Sequence, residues 1–529
     1  MDRQISSHPA PLRIVLVAFA CDPTRGSEPA IGWGWAEALA GRGHTVEVLT
    51  HPVDGNLRAI EHRITELGAV GERIRIHTVA LPPTPAWTRA LPPPLRDMAA
   101  EVRRYDAWQH RALAHARSHG LDTADVVHHV SYGSLQGGSA LRRLGPPLVF
   151  GPVGGGQIAP HSHRRYLGAA YWQEALRTLV WARFLSHRPA CRRTVSEAAV
   201  VLATNRDTLR LARRLSRAPE ARLMLADGIQ ESLIRDEPLI RDEPLTGDEP
   251  LTGDEPLTGD ESPTGDASLS GDESLTGDAS LTGDASGERA ERPGRPPTVL
   301  WVGRLHPRKT PDLALRALAH LRSRIPRARL VVIGDGPSRP ELQRLAARLG
   351  VAEAVDFRGR LPREEVFAAC DDADVFLMTS LRDSSSTQTL EAWARGLPVV
   401  HLGHHGISDF SAPGGAVSVP LGDPSDLPQR LAWALGGVLG GRQARQCMAR
   451  AAVEWAHQHT YAAKADIAEQ LYRTALTRAA TRPRTPTRPD HPHTPHTSDT
   501  PDALEGSGVP GASGVPTAAV VSAPPRPAQ

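Results

Sequence analysis

Hydrophobic and polar positions along the chain form two long blocks, from about 12 to 230 and from about 297 to 477. Each block opens with a short apolar run, Leu12–Ala20 in the first and Thr298–Leu305 in the second. Short runs of Val, Ile and Leu then alternate with longer amphipathic stretches, an order typical of a parallel β-sheet with helices on both faces. The pattern predicts an α/β chain with two Rossmann-like, doubly wound lobes and a ligand cleft at the carboxyl ends of the strands.

The second block gives the clearest elements. It predicts strands at 299–302, 330–333, 354–357, 375–378 and 398–402, and helices at 311–324, 339–349, 363–369 and 389–395. We assign this lobe to 297–440. The last stretch, 441–477, has a long helical pattern, which either packs within the second lobe or crosses back onto the first.

A six-residue repeat separates the two blocks. From Ile234 to Ser286 its units run IRDEPL, TGDEPL and TGDASL, with Leu as the recurring apolar position. A left-handed β-helix has this period too, but such acidic units cannot bury enough apolar surface to offset the loss of chain entropy. We therefore predict a disordered linker at 234–286, and a disordered tail at 481–529, which is rich in Pro, Thr, Ser and Gly.

The charge is unevenly distributed, although the formal net charge is only +2. The repeat holds fifteen Asp and Glu against two Arg, a local charge of −13, so the remainder of the chain carries +15. A basic body suits anionic ligands such as nucleoside diphosphates or an anionic lipid surface. We expect no nucleic-acid partner.

The sequence predicts a reduced, cytoplasmic protein. The apolar run Ile14–Ala20 is shorter than the ~20 residues that span a membrane, and no small-residue cleavage site follows it. The four cysteines are scattered, without a C-x-x-C pair.

Cations follow the first strand of the second block. Gly303 ends that strand, and Arg304 and Lys309 precede a helix that starts near Pro311. Arg binds phosphate in a bidentate way and Lys acts as a point charge, so the two form a candidate diphosphate clamp. A solvated basic turn is the alternative.

Two further strand ends are candidate ligand loops. Gly334 and Gly336 follow the second strand, and glycine allows the backbone to approach a ligand closely. Arg358 lies at the end of the third strand. An ordinary loop explains each of them equally well.

The fourth loop is rich in hydroxyl groups and leads into a helix. Asp383 and Glu391 flank it, with seven residues between them. Backbone amides near a helix N-terminus favour phosphate, so Ser384, Thr387 and Leu390 are candidate donor contacts. Glu391 can accept hydrogen bonds from ribose hydroxyls, and Asp383 from sugar hydroxyls.

The first block has its own candidate loops. Gly26 and Ser27 precede its first helix, where a phosphate or a sugar can bind. His128 and His129 end a strand, and the sequence does not show which of them faces a site.

A triple glycine, Gly154, Gly155 and Gly156, follows a later strand and is itself followed by Gln157. It indicates either backbone next to a ligand or tight packing between the lobes.

These segments together resemble glycosyltransferase family 4, a retaining family with the GT-B fold. The family pattern of G-R-L…K-G, G-x-G-P, E-x7-E and A-x-G-x-P-V-V is matched here by GRLHPRK, GDGP, D-x7-E and ARGLPVV. The first block is similar to a subgroup with G-S-E-P and G-P-V-G-G-G segments.

The resemblance implies transfer of a sugar from a nucleoside diphosphate sugar to a hydroxyl acceptor, with retention and without a metal or cofactor. Arg304 and Lys309 would stabilise the diphosphate, Glu391 would hold the ribose and Asp383 the sugar. One histidine of the His128–His129 pair would face the sugar.

Two positions depart from the family pattern. Asp383 stands where the family usually has Glu, and Gln157 replaces another usual Glu. Both departures concern recognition of the sugar or the acceptor, so neither the sugar nor the acceptor can be read from the sequence.

Three other features have competing explanations. The stretch 174–193 has an apolar and a basic face, so it either packs on the core or touches an anionic membrane. Asp372 and Asp374 resemble a metal-binding pair, but their place before a strand favours a solvated turn. A catalytically inactive sugar-nucleotide-binding protein is the main alternative function, and a nicotinamide-dependent oxidoreductase is disfavoured because G-x-G-x-x-G is missing.

Overall fold

The structure, a computed structural model, describes residues 10–52, 56–216, 220–235, 294–384, 386–404 and 406–481. Nearly all of the acidic repeat, and the whole tail after 481, lie outside the described residues. What is described contains two parallel β-sheets, one built from each block of the sequence.

The first sheet has seven strands in the order β3-β2-β1-β4-β5-β6-β7. Their bounds are β1 Arg13–Ala18, β2 Thr45–Thr50, β3 Ile74–Thr78, β4 Val126–Ser131, β5 Leu148–Val153, β6 Val200–Ala203 and β7 Glu220–Leu223. Every pairing in it is parallel.

The second sheet has six parallel strands in the order β10-β9-β8-β11-β12-β13. They are β8 Thr298–Val302, β9 Arg329–Ile333, β10 Val355–Gly359, β11 Val375–Met378, β12 Val399–Leu402 and β13 Ala416–Val419. In both sheets the strand order reverses beside the first strand, which is the doubly wound arrangement. The predicted α/β fold with two Rossmann-like lobes is confirmed.

Helices cover both sheets. In the first block they are α1 Glu28–Gly41, α2 Asn56–Glu66, α3 Pro93–Ser118, α4 Ala170–Thr178, α5 Pro189–Glu197 and α6 Arg206–Leu215. In the second they are α7 Pro311–Arg322, α8 Arg339–Arg348, α9 Arg363–Asp372, α10 Thr387–Ala394, α11 Gly406–Asp409, α12 Leu427–Gly440, α13 Arg442–His457 and α14 Tyr461–Thr481. The helical pattern over 441–477 therefore forms two helices, interrupted at 458–460.

The last helix packs on the first lobe. Tyr461 lies against Gly34 of α1, and its hydroxyl donates to the carbonyl of Ala30 at 3.2 Å. Farther along α14, Glu469 accepts a hydrogen bond from Arg42 at 2.9 Å. The end of the second block thus completes the core of the first.

A loop of the first block crosses in the opposite direction. Tyr166 and Leu167 are buried in the core of the second lobe. The Tyr166 hydroxyl donates to the carbonyl of Pro424 at 2.5 Å, and a ring nitrogen of His163 lies 3.1 Å from the carbonyl of Leu421. Each lobe therefore contributes a segment to the other's core.

The two histidines of β4 are core residues. Alternate residues of a strand point to opposite faces, and helices cover both faces of this sheet, so both rings are fully buried. His128 bonds to the Tyr472 hydroxyl at 2.7 Å and the Gly151 carbonyl at 2.9 Å. Burial lowers the pKa of His128 to about 4 and that of His129 to about 3.

The contact between α14 and α1 depends on the absence of a side chain at Gly34. A Cβ there would lie 2.3 Å from the Tyr461 ring, whereas a Cβ at Gly41 in the same helix would meet nothing within 4 Å. We expect Gly34→Ala to lower the free energy of unfolding by about 1–3 kcal/mol through overpacking. Gly41→Ala should leave it unchanged or raise it by up to ~1 kcal/mol. Urea unfolding of both variants distinguishes them, and equal stabilities would contradict the packing described.

The buried histidines make stability depend on pH. Between about pH 6.5 and pH 4 the unfolded chain binds protons that the buried rings do not, so stability falls as pH falls through this window. Each ring contributes a slope of up to ~1.4 kcal/mol per pH unit. His129→Leu, which removes one titrating ring, should flatten the dependence measured by urea unfolding between pH 7.5 and pH 5. The exposed His62→Gln is the matched control, and an equal slope in all three proteins would refute this origin.

Candidate functional site

A cavity of about 380 Å³ lies between the lobes, at the carboxyl ends of the central strands of both sheets. Both lobes contribute to its wall, which is formed by Ser27, Glu28, Ile31, Glu101, Val130, Tyr132, Gly133, Ser134, Pro152, Thr204, Ala226, Asp227, Lys309, Asp383, Ser384, Thr387 and Gln388. Among these residues four are carboxylates and one, Lys309, is a cation. The cleft predicted from the sequence is therefore present, and acidic side chains outnumber basic ones in its wall.

Lys309 and Asp383 meet at this cavity. A short 3-10 turn after β8 carries Lys309, and Thr379 fixes that turn by donating its hydroxyl to the Lys309 carbonyl at 2.9 Å. The Lys309 ammonium forms an ion pair with the Asp383 carboxylate, and both side chains are largely buried. Lys309 was predicted to bind phosphate and Asp383 to bind the sugar. In this structure their opposite charges neutralise each other.

The N-terminus of α10 forms another part of the wall. Ser386 caps it by accepting a hydrogen bond from the Thr389 amide at 3.4 Å. The Thr387 hydroxyl donates to Asp227 of the first lobe at 2.9 Å, so the cap region also joins the lobes. Leu390, predicted as a donor contact, is instead buried in the core of the second lobe, because its position on α10 points away from the cavity.

Glu391 lies beside the cavity and does not line it. It is buried, and Arg363 holds it through two nitrogens at 3.0 and 2.9 Å from one carboxylate oxygen. Burial raises the pKa of Glu391, and the Arg363 charge opposes that shift.

The three predicted glycines of this lobe bring neighbouring loops together. Gly334 has φ +129°, and a Cβ on it would lie 1.9 Å from the Gly303 carbonyl. A Cβ on Gly336 would lie 2.4 Å from the Leu305 carbonyl. These positions need glycine for backbone packing at the strand ends, whether or not a ligand approaches them.

Two predicted arginines lie outside the cavity wall. Arg304 is exposed to solvent, and Arg358 is exposed and paired with Asp356 at 2.8 Å. The cation at the cavity is therefore Lys309, and the predicted Arg304–Lys309 clamp is not assembled in this structure.

The loop before α1 contributes two residues to the wall. Ser27 adopts a positive φ of 62° and lines the cavity, whereas Gly26 is exposed and touches no part of it. Glu28 follows, and its carboxylate accepts a hydrogen bond from the Gly133 amide at 2.8 Å. Burial raises the pKa of Glu28, although that hydrogen bond opposes the shift.

The triple glycine contacts the second lobe, and a hydrogen bond within its own loop fixes its conformation. A Cβ on Gly154 would lie 3.0 Å from the Ser384 Cβ of the second lobe. The side-chain oxygen of Gln157 accepts from the Gly155 amide at 2.8 Å, and the Gly156 amide donates to Thr208 at 2.9 Å. Gln157 thus fixes the loop and does not face the cavity.

The strand that carries the histidines does reach the cavity, but through other residues. Neither His128 nor His129 lines it, because both rings are enclosed in the core, whereas Val130 and Tyr132 do. The Tyr132 hydroxyl donates to Glu101, a residue of α3 that also lines the wall. The structure therefore contradicts the expectation that one of the two histidines faces the site.

Four acidic or aromatic wall residues have no counterpart among the predicted site residues: Glu28, Glu101, Tyr132 and Asp227. Glu28 directly follows the predicted Ser27, and Tyr132 lies three residues after the predicted His129. Glu101 is one of many polar residues on a long helix, and Asp227 follows a four-residue strand, so neither has a distinctive pattern around it.

Asp374 is a structural residue. It is 7% exposed, pairs with Arg295 and accepts a hydrogen bond from the Thr298 amide at 2.8 Å, so it anchors the start of β8. The expectation of a solvated turn here was wrong. Within the described ranges, no group of three His, Cys, Asp or Glu side chains could hold a metal, and no helix is long and apolar enough to cross a membrane.

Two family models match this chain. Residues 296–437 match the model described as glycosyl transferases group 1, and residues 26–226 match the glycosyl transferase 4-like domain.

Curated relatives match over part of their length. A GDP-mannose-dependent alpha-(1-6)-phosphatidylinositol monomannoside mannosyltransferase of Mycolicibacterium smegmatis is 35% identical over 170 residues, which is 31% of this chain and 44% of that protein. A D-inositol 3-phosphate glycosyltransferase of Nocardia farcinica is 35% identical over 192 residues, 35% of this chain and 42% of that protein. The chain thus spans less than half the length of these relatives.

Solved structures share the fold. Sucrose-phosphate synthase from Thermosynechococcus elongatus superposes with a TM-score of 0.57 at 16% identity, covering 88% of this chain and 100% of that one. Anabaena HepE in complex with UDP gives a TM-score of 0.52 at 16% identity, covering 87% and 99%. With a GT-B arrangement of two parallel sheets and a family match in each lobe, this chain belongs to glycosyltransferase family 4.

Proposed function

We propose that this protein transfers a sugar from a nucleoside diphosphate sugar to a hydroxyl acceptor, with retention of the anomeric configuration. The observation that carries the proposal is the meeting of Lys309, Asp383 and the N-terminus of α10 at one interlobe cavity. A cation and the N-terminus of a helix suit a diphosphate, and a carboxylate beside them suits the hydroxyls of the attached sugar.

Lys309 is proposed to act on the leaving group. When the bond between sugar and diphosphate breaks, negative charge grows on the diphosphate, and a fixed ammonium in a partly buried site stabilises it. The diphosphate would take Lys309 from Asp383, which frees that carboxylate for sugar hydroxyls. Ligand binding would therefore exchange one ion pair for another.

Glu391 is proposed to hold the ribose. Arg363 occupies one of its oxygens and fixes its orientation, so the other is directed without further ordering. Arg304, which is exposed in this structure, would join the phosphates only after a movement of its side chain.

The acceptor is proposed to occupy the first-lobe half of the cavity. Glu28, Glu101 and Asp227 there are hydrogen-bond acceptors suited to a polyhydroxylated molecule. The two curated relatives are named for reactions with inositol-containing compounds, which makes these the first acceptor class to test.

Retention is proposed to follow from attack on the same face as the departing diphosphate. Asp383 is assigned to the sugar hydroxyls, and Asp227 accepts a hydrogen bond from Thr387, so the proposal assigns neither as a covalent nucleophile. Closure of the lobes around the donor would exclude water and limit hydrolysis. The proposal includes no metal ion or cofactor.

Lys309→Ala tests the site. We expect kcat to fall by about 10²-fold or more, because a fixed charge on the leaving group is lost, while circular dichroism stays unchanged. Arg358→Ala removes an exposed cation of the same lobe and should leave kcat as it is. The measurement is release of free nucleotide from a panel of nucleotide sugars, with inositol and inositol phosphate as acceptors.

An unchanged rate in Lys309→Ala would refute the site. Tight donor binding by calorimetry, with no nucleotide release under any acceptor, would instead favour an inactive sugar-nucleotide-binding protein.

A further inference from the structure

Exposed apolar side chains are concentrated in one short stretch of the first lobe. Eight large apolar side chains are exposed among the described residues, and five of them lie between 158 and 184. They are Ile158 at 45%, Trp172 at 76%, Leu176 at 39%, Leu179 at 50% and Phe184 at 63%. Such a cluster marks an interaction surface, whereas scattered apolar residues do not.

Three of these side chains form a stripe. Trp172, Leu176 and Leu179 are spaced four and three residues apart, so they lie on one face of α4 and of the π-helical turn that follows it. On the opposite face Glu174 pairs with the buried Arg382 of the second lobe, and Trp181 is buried. The helix is thus fixed to the body of the protein, and its apolar face points outward.

Arginines surround the stripe. Arg164 contacts His161, which bonds to the Tyr171 hydroxyl at 2.5 Å beside Trp172. Arg177 is not one of them, because its guanidinium packs 5.5 Å from the centre of the buried Trp181 ring on the opposite face of the helix. The stretch 158–193 holds seven arginines against one acidic residue, Glu174.

A second cavity opens along the same face. It measures about 940 Å³ and lies between α4 and α6, with Leu179, Ile158 and Glu174 on one side. On the other side are Arg214 and Arg210, and Arg210 pairs with Asp207 at 3.1 Å. It extends to Gly156, two residues from the contact between Gly154 and Ser384. An apolar surface with a basic rim therefore leads from the outside of the protein toward the interlobe cavity.

We propose that this face docks on an anionic membrane surface. We define it as the α4 face: Ile158, Trp172, Leu176, Leu179 and Phe184, with the rim of Arg164, Arg210 and Arg214. Aromatic and apolar side chains enter the boundary between headgroups and acyl chains, and arginines bind the anionic headgroups. A second copy of the chain would bring two basic rims together, so charge complementarity favours the lipid surface.

The docking places the interlobe cavity at the membrane, where an acceptor anchored in lipid is presented. The membrane contact itself does not depend on the proposed transferase activity, because it rests on surface side chains outside the cavity wall.

Vesicle sedimentation of the full chain tests the proposal. The probes are vesicles of phosphatidylcholine alone and of phosphatidylcholine with about one third phosphatidylglycerol, a composition that carries an anionic surface. We expect binding to the anionic vesicles only, weakened by added salt. The double variant Trp172→Ser, Phe184→Ser should bind at least about tenfold more weakly, because it lacks two side chains that would insert into the membrane.

Two further variants make the result specific. Trp433→Ser removes an equally large side chain, 56% exposed on α12, and should bind like the unchanged protein. Arg210→Ser with Arg214→Ser should weaken binding and its salt dependence while leaving the apolar stripe in place. Circular dichroism and nucleotide release from a soluble donor verify that each variant is folded.

Three outcomes would overturn the proposal. They are failure of the unchanged protein to bind anionic vesicles, an equal loss in Trp433→Ser, and a dimer in gel filtration that the Trp172→Ser, Phe184→Ser variant converts to monomer. The last outcome would assign the α4 face to contact between two copies. Loss of activity in Lys309→Ala with intact vesicle binding would separate the two proposals from each other.

Discussion

The tight contact around Ser384 sets the geometry of everything between the lobes. Its Cβ lies 3.0 Å from the position a Cβ would take on Gly154, and its carbonyl oxygen lies only 1.8 Å from the position a Cβ would take on Gly406. Glycine is thus needed at both Gly154 and Gly406 to make room for Ser384 at the contact between the lobes. Asp383 precedes it and Thr387 follows it, so the groups proposed to bind sugar and phosphate are positioned by this contact.

The sequence predicted the second lobe well because its strands are short, continuous apolar runs bounded by glycine or charge. The observed β11 has the predicted bounds, and α7 ends two residues before the predicted helix end. β13 escaped notice, since only Val419 of its four residues is fully buried and no apolar run marks it. The break between α13 and α14 also escaped notice, because no glycine or proline interrupts the pattern there.

Residues that line the cavity were predictable where they follow a strand end, and unpredictable where burial decides. Lys309 and Asp383 lie at strand ends, and parallel sheets bring strand ends together whatever the remaining sequence. His128 and Leu390 belong to equally suggestive segments, yet strand and helix periodicity turn their side chains into the core. Val130 reaches the cavity, whereas His128, two residues earlier on the same face of the strand, stays in the core. The deciding factor is how far along the strand the cavity begins, which a single sequence does not show.

The exchange of segments between the lobes changes what can move as a unit. Tyr166 is packed in the core of the second lobe, and Glu174 pairs with Arg382, whose burial lowers its pKa to about 10. Separating that pair would leave a buried charge without its partner, which costs several kcal/mol. The segment from about 163 to 174, which includes the start of α4, must therefore move together with the second lobe. By the same reasoning α14 must move together with the first. Each rigid unit of this protein is consequently built from segments that are far apart in the sequence. Either block expressed alone would therefore lack part of its own core.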